Sequence, residues 1–375
     1  MSEISFFFAG GGTGGHIYPA LAVAQQIVDR RPDACIHFLC STRAVDKRIL
    51  EGTAFPFTVL PATGLYFDPR RFVTFWRTFW QSHRQARALI ADSSNPVVIG
   101  GGGFVAAPVC MAGHRLGAPV VLVNVDILPG RANRLSARWA DQIFVQFEGC
   151  ERHFGSRSDR VTVVGCPLRS GFARADRMRA VEALSLDPGK KTLLITGASS
   201  GSMRINEAVC MLLPRLEAFA SAWQIVHLTG LDNFDEVARR YDGVRIAHKV
   251  VRYYDAMPDL LAAADLLVGR SGAVSVAEYA VAGVPSICMP YPHHKDRHQY
   301  RNAGKLVEVG AAVIVDDVAD ADDRADWLWE ELEALMADDV TRREMADACR
   351  LVARPNAAAD IAGRLLVLAE RSRAV

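Results

Sequence analysis

The sequence has no Cys-x-x-Cys pair, no apolar run of membrane-spanning length and almost no net charge, and each absence removes a class of function. Its eight cysteines (Cys35, Cys40, Cys110, Cys150, Cys166, Cys210, Cys288 and Cys349) are scattered along the chain. Without paired spacing they carry no metal signature. Several lie in apolar strand-like runs, where cysteine acts as a small hydrophobe in a reducing compartment. No stretch reaches the roughly 18 apolar residues of a membrane helix, and no basic segment leads into an apolar signal core after Met1. The expectation is a cytoplasmic protein whose contact with a membrane is peripheral. A net charge of +1 argues against a general nucleic-acid binder. That small sum hides an asymmetry, because residues 1–165 carry 17 Lys and Arg against 12 Asp and Glu, and the remainder 26 against 30. A basic first half suits an anionic lipid or phosphate.

What is present is a repeated α/β pattern. At 375 residues the chain has room for two domains with separate cores. Short apolar runs at 4–9, 34–40, 57–60, 97–99, 119–124 and 142–146 read as strands in the first half. Runs at 161–164, 192–196, 224–228, 244–247, 265–268, 285–289 and 311–315 do so in the second. They are apolar throughout rather than alternating, as parallel strands covered on both faces should be. Helical patterns such as 20–31, 105–116 and 272–282 separate them, which gives a doubly wound α/β reading. A strand leading into a glycine-rich turn occurs at 4–15 and again at 192–201, so the pattern restarts. The expected division is residues 1–166 and 167–356, with a last helix, about 357–375, crossing back to the first domain.

Three loops have the composition of ligand-binding turns. Gly10, Gly11, Gly12, Thr13, Gly14 and Gly15 follow a strand and open a helix, where glycine lets a phosphate approach backbone N–H groups. The spacing of Gly10, Gly12 and Gly15 satisfies the dinucleotide fingerprint, yet the second strand ends in Cys40, Ser41, Thr42 and Arg43 with no carboxylate for a ribose. Arg43 leaves open a phosphate-bearing dinucleotide. His16, at the helix entry, is either a base or phosphate ligand or simply a cap. Pro19 falls in what reads as the first turn of that helix. Gly100 to Gly103, followed by Phe104, form a second loop with more glycine than one turn needs. Gly197, Ala198, Ser199, Ser200, Gly201 and Ser202 form the matching loop of the second half, which suits a diphosphate or an ordinary N-cap.

The run from Gly11 through His16 and Pro19 to Ala24 resembles the signature of the MurG family, the N-acetylglucosaminyltransferases that convert lipid I to lipid II. The likeness continues through Gly102 to Val105, Val164 to Arg169, Arg270 to Ala273 and His294 to Ala303. It therefore covers both halves. The resemblance implies a glycosyltransferase-B fold, α/β with two Rossmann-like domains facing a central cleft, the donor held mainly by the second and the acceptor by the first. It implies inverting, metal-independent transfer from UDP-GlcNAc to a polyprenyl-linked muramoyl-peptide, at the cytoplasmic face of the membrane and without a cofactor. The donor contacts it implies are Thr13, Gly14, Gly15, Asn133, Arg169, Ser199, Arg270, Ser271, Glu278, Gln299 and Asn302. Gly12, Gly102, Gly103 and Phe104 would serve the acceptor or diphosphate. A carboxylate such as Glu278 can accept both hydroxyls of a vicinal ribose diol, and Gln299 and Asn302 share one helix face.

One motif departs from the family pattern. After the strand ending near Leu122 the family commonly reads His-Glu-Gln-Asn, where this chain has Val123, Asn124, Val125 and Asp126; Cys166 likewise replaces an asparagine. Asparagine cannot act as a general base, so that task is expected of His16, with Asp126 second. The departure keeps two alternatives open: a UDP-sugar transferase with another lipid or glycoside acceptor, and a non-catalytic nucleotide-sugar-binding scaffold. A UDP-sugar epimerase has a similar fold, but the His16 loop resembles the transferase. Asp320 and Asp322 form the one Asp-x-Asp, inside an acidic run, 316–323, that reads as a solvated loop. Phe72, Phe75, Trp76, Phe79 and Trp80 recur at helical spacing, accompanied by Arg70, Arg71, Arg77, Arg84 and Arg87. That stripe is either buried in the first domain or a basic-aromatic face for anionic headgroups.

Overall fold

The structure, a computed structural model, describes residues 4–12, 14–64, 69–198 and 201–372. The chain divides into two compact units, one of residues 1–169 with 354–375 and the other of 170–353. In the first, β1 (Ser5–Ala9), β2 (Cys35–Cys40), β3 (Phe57–Val59), β4 (Pro96–Gly100), β5 (Val120–Asn124), β6 (Gln142–Val145) and β7 (Val161–Val163) form one parallel sheet. Its order is β3-β2-β1-β4-β5-β6-β7. The run at 161–164, grouped by position with the second half of the sequence, is thus the outer strand of the first sheet. β1 and β5 are buried along their whole length, which is why their sequences do not alternate.

Helices α1 (Gly14–Arg30), α2 (Ala44–Glu51), α3 (Pro69–Ala91), α4 (Ala106–Arg115) and α5 (Arg131–Ser136) connect these strands. The helix expected from residue 20 begins six residues earlier, at Gly14. His16 therefore lies in its first turn and Pro19 in its second, where the ring leaves the Gly15 carbonyl without its helical N–H donor. The C-terminal helix Ala357–Ser372 packs on α1 and buries Ile361, Ala362, Leu365 and Ala369.

The second unit repeats the plan. Strands β8 (Lys191–Thr196), β9 (Trp223–Leu228), β10 (Ala247–Val251), β11 (Leu266–Gly269), β12 (Ser286–Cys288) and β13 (Ala312–Ile314) form a parallel sheet in the order β10-β9-β8-β11-β12-β13. The helices are α6 (Arg177–Leu184), α7 (Met203–Leu216), α8 (Phe234–Arg240), α9 (Met257–Ala263), α10 (Ala273–Ala282), α11 (His298–Val307), α12 (Ala321–Ala337) and α13 (Asp339–Val352). One strand differs from expectation: the apolar run 244–247 precedes β10, which continues through His248 and Lys249. It is an edge strand with its first three residues exposed, so polar side chains are tolerated there. In both sheets the order reverses next to the first strand, between β1 and β4 and between β8 and β11. Ligands of open parallel sheets gather beyond the carboxyl ends of the strands at such a reversal.

The aromatic stripe is divided between core and surface. Phe79 is buried against Ala107 and Met111 of α4, with Phe75 half-buried beside it. Phe72, Val73, Trp76 and Trp80 stay exposed. Among the described residues no helix is long and apolar enough to cross a membrane. In urea unfolding, Phe79→Ala should lower stability by about 3–5 kcal/mol through the cavity it leaves. Trp76→Ser should change it by less than about 1 kcal/mol; equal losses would mean that the whole stripe is core.

Candidate functional site

In the first unit two glycine loops meet at the β1/β4 reversal. Gly103 has φ +77°, and a Cβ on it would stand 2.2 Å from the Gly11 carbonyl oxygen. No side chain fits there, so backbone lies directly on backbone. Beneath the first loop sits Asp46, in the first turn of α2 and fully buried. Its two oxygens accept from the Gly12 amide at 3.0 and 2.8 Å, and Oδ2 also accepts from the Ser41 amide at 3.2 Å and its hydroxyl at 2.5 Å. Arg43 Nη1 donates to the Gly12 carbonyl at 2.7 Å. A buried carboxylate is tolerated when its lone pairs are met in this way, and here they fix the loop. Arg43, which might have read a dinucleotide phosphate, is committed to the loop, and Asp46 is turned inward rather than toward a ribose.

His16 stands at the centre of this corner. Its Nδ1 lies 3.0 Å from the Gly11 carbonyl. A carbonyl only accepts, so in the neutral ring Nδ1 carries the proton and Nε2 keeps its lone pair. Nε2 faces Gly102, 3.1 Å from where that residue would carry a Cβ. Gly102 has φ +109° and is buried, so the imidazole packs directly on this glycine, where a Cβ would crowd it. Asn133, on α5, is buried with its Oδ1 3.5 Å from the same point. Gly14 and Gly15 form the start of α1, next to the loop of Gly11 and Gly12, and Phe104 is 40% exposed on the second loop. Asp126 is half-buried just past β5, and its backbone carbonyl takes the Asn124 amide at 2.6 Å. Arg169 belongs to this unit and lies over the ring of Tyr18, two residues after His16, at 5.3 Å. Thr13 lies outside the described residues.

The second unit gathers a different set at the β8/β11 reversal. Arg270 follows β11 and is buried. It donates through Nη1 to the Met289 carbonyl at 2.8 Å and through Nη2 to the Ser202 hydroxyl at 2.7 Å. Ser202 is the N-cap of α7, at the end of the small-residue loop after β8. Asp317 Oδ2 lies 2.8 Å from Arg270 Nη2 as an ion pair, while its Oδ1 accepts from Arg204 at 3.3 Å. Burial lowers the Arg270 pKa and Asp317 opposes that shift. One buried carboxylate thus serves two guanidinium groups. Ser271 donates to the Gln299 carbonyl at 3.0 Å, and Asn302, fully buried, reaches the Ser271 carbonyl at 3.5 Å. The Gln299 side-chain oxygen takes the Tyr291 amide at 2.9 Å. Arg270, Ser271, Gln299 and Asn302 are therefore linked, with Glu278 half-buried on α10, which starts two residues after Ser271. Ser199 lies outside the described residues.

Two residues that the sequence pattern did not single out organise these sites, Asp46 and Asp317, together with Ser202, the N-cap of α7 in the small-residue loop. The acidic run 316–323 is not a uniform solvated loop. Asp317 is buried between the arginines, and Asp320 caps α12 by accepting from the amides of Asp322 and Asp323 at 3.0 Å. Among the described residues, no group of three or more His, Cys, Asp or Glu is placed to hold a metal ion. Asp317→Asn should lower unfolding free energy by about 3 kcal/mol, because it leaves Arg270 buried without a full counter-charge. Asp322→Asn, at an exposed position, should stay within about 0.5 kcal/mol. Chemical unfolding of the two variants decides, and equal effects would refute the buried triad.

Comparison with known proteins matches this geometry to a family. The glycosyltransferase family 28 N-terminal domain matches residues 6–145 and the family 28 C-terminal domain residues 192–364. The UDP-N-acetylglucosamine–N-acetylmuramyl-(pentapeptide) pyrophosphoryl-undecaprenol N-acetylglucosamine transferase of Desulforamulus reducens is 34% identical over 360 residues, 94% of this chain and 95% of that protein. Among solved structures, MurG of Acinetobacter baumannii superimposes with a TM-score of 0.73 at 25% identity, covering 98% of this chain and 99% of that one. A UDP-GlcNAc 2-epimerase from Neisseria meningitidis, at 13% identity and a TM-score of 0.67 over 98% of this chain and 100% of that one, shares the fold alone. With its two Rossmann-like units in the glycosyltransferase-B fold, the chain belongs to glycosyltransferase family 28, in the MurG family that its signature residues resemble.

Proposed function

We propose that the chain transfers N-acetylglucosamine from UDP-GlcNAc to a polyprenyl-linked muramoyl-pentapeptide, converting lipid I to lipid II with inversion. The observation that carries the reading is His16, whose Nδ1 is tied to the Gly11 carbonyl and whose Nε2 is held as an acceptor beside two glycine loops. In a single displacement the acceptor hydroxyl attacks the anomeric carbon while the bond to UDP breaks. The hydroxyl proton passes to His16 Nε2, and the electron pair leaves on the diphosphate. Asp126 is the second candidate for the proton. Cationic Arg169 and the amides of the loop before α7 suit the departing diphosphate. Arg270 and Ser271 frame the nucleotide, Glu278 takes the ribose diol, and Gln299 and Asn302 the sugar hydroxyls. The name of the Desulforamulus relative supplies the acceptor class.

A second reading, with a different lipid or glycoside acceptor, draws on one feature. Val123 and Val125, where the family commonly has polar side chains, help line a cavity of about 10 Å³ beside His16. That corner is therefore less polar than the family pattern. Labelled transfer from UDP-GlcNAc to a lipid I analogue, with chelator present, separates the readings. Product is expected to persist in chelator and to fall by about 10²-fold or more in His16→Ala. Donor binding without product would favour another acceptor or a scaffold.

Membrane contact belongs to the same proposal. Phe72, Trp76 and Trp80 are exposed on α3 together with Arg77, Arg84 and Arg87, a face suited to anionic headgroups at the cytoplasmic surface of the membrane. Trp76→Ser/Trp80→Ser should remain folded and lose most binding to vesicles containing anionic lipid. Full retention of vesicle binding in the folded variant would refute the membrane role.

A further inference from the structure

The second unit holds a buried polar chain that runs from the end of α8 to the loop before α7. Tyr241 follows α8, His227 lies in β9, Thr229 just beyond β9 and Asn206 on α7, and all four are buried. The Asn206 carboxamide meets the Thr229 carbonyl at 3.0 Å on one side and His227 Nε2 at 3.1 Å on the other. A carbonyl only accepts, so Asn206 gives it Nδ2 and turns Oδ1 toward the imidazole. The amide oxygen also only accepts, so His227 Nε2 carries the ring proton. Burial pushes this imidazole down to about 3, so it stays neutral and Nδ1 keeps its lone pair. That lone pair takes the Tyr241 hydroxyl at 2.9 Å, a group that burial raises well above its usual pKa. Each of these hydrogen bonds therefore points one way, from Tyr241 through His227 and Asn206 to Thr229.

The chain ends under the loop. Gly201 has φ +73°, and a Cβ there would stand 2.4 Å from the Thr229 carbonyl oxygen and 2.8 Å from the Gly230 Cα. Gly197, where the loop begins, would carry its Cβ 2.1 Å from the Ser202 amide nitrogen. The two ends of the loop thus touch, and the later one rests on the end of β9. The Thr229 carbonyl is held between Gly201 and the Asn206 amide, on the helix whose N-cap is Ser202. With the carboxamide reversed, two acceptors would face each other at that distance, and the carbonyl could not retreat without moving Gly201. A fully satisfied buried chain holds one arrangement, whereas a broken one leaves a costly unmet group. The tautomer of a core histidine thereby bears on the backbone of a loop at the carboxyl edge of the sheet.

We propose that His227 is a positioning residue for the diphosphate of the nucleotide: through Asn206 and the Thr229 carbonyl it fixes Gly201 and Ser202, at the entry of α7, for contact with that anion. The role rests on the nucleotide-sugar reading above, but the direction of the chain does not. Fully buried, His227 meets no ligand and exchanges no proton with one. It acts as a rigid donor. A leucine of similar size would leave the Asn206 oxygen and the Tyr241 hydroxyl unmet, and the carboxamide free to reverse. A glutamine keeps an N–H for Asn206.

Imidazole 15N spectra of the labelled wild-type protein, without ligand, test the chain. His227 is expected as the neutral Nε2–H tautomer, unchanged from about pH 5 to about pH 8. The Nδ1–H tautomer, or titration within that window, overturns it. Titrations with UDP and with uridine test the role. His227→Leu should weaken UDP about tenfold and uridine by less than about twofold, and His227→Gln should recover most of the UDP affinity. Equal losses for both ligands, or unchanged UDP affinity in the folded leucine variant, overturn the positioning role. A further reading comes from the wild type alone: UDP should shift the Asn206 side-chain amide resonance and uridine should not. An Asn206 signal indifferent to UDP overturns the role even if His227→Leu does not fold. A wild-type protein that binds no UDP refutes the nucleotide-sugar reading instead, and the tautomer still decides the chain.

Discussion

The first unit is organised by a backbone-to-backbone contact, that of Gly103 against the Gly11 carbonyl, where even a methyl group would collide at 2.2 Å. Every other feature of that corner assumes this approach. The loops can meet because β1 and β4 are adjacent and in register, Ala9 opposite Gly100. They stay together because Asp46 holds the Gly12 amide from below. His16 then finds the Gly11 carbonyl within reach, and its tautomer is fixed by a group that belongs to the interlock itself. Backbone geometry thus decides a proton's location, which joins the glycine content of the sequence to the chemistry of one nitrogen atom.

The second unit solves a different problem with charge. Its loop after β8 is made of small residues and offers no cation, so positive charge comes from behind. Arg204 and Arg270 converge on Asp317, and Arg270 also ties the Ser202 cap and the Met289 carbonyl together. One carboxylate between two guanidinium groups leaves a net positive charge at a helix N-terminus, in a buried setting where salt screens it poorly. An anionic ligand is suited to that field. The field is fixed in advance because each guanidinium is already bonded.

Much of this was legible in the sequence, for reasons that differ by residue. Buried parallel strands are apolar throughout, so most strands stood out, and the glycine loops followed from them. The run at 244–247 misled because the neighbouring edge strand is paired on one side only and tolerates His248 and Lys249. The start of α1 was hidden because Gly14 and Gly15 are poor helix formers. They are helical because strand, loop and the clamp from Asp46 set the direction of the chain. Asp46 and Asp317 carried no local signal. Asp46 is one acid beside Lys47 and Arg48 and Asp317 one of several in an acidic run, and only the tertiary fold shows that the partners of each come from other segments. Asn124 was visible as a departure, but its orientation is set by the backbone carbonyl of Asp126, a relation that spacing cannot express.

The terminal helix has a consequence for how the chain comes to be folded. It packs on α1, and Gly165, at φ +95°, would carry a Cβ only 2.4 Å from that of Arg354, so the outgoing and returning segments lie side by side in the first unit. The second unit is in effect an insertion into the first. During synthesis it has its whole sequence before the ribosome reaches the last helix, so it can reach its native state first. The unit made first must wait, its α1 face uncovered, until that helix has been made. An exposed apolar groove on a nascent chain is a natural point of engagement for chaperones, and the order of completion here is the reverse of the order of synthesis.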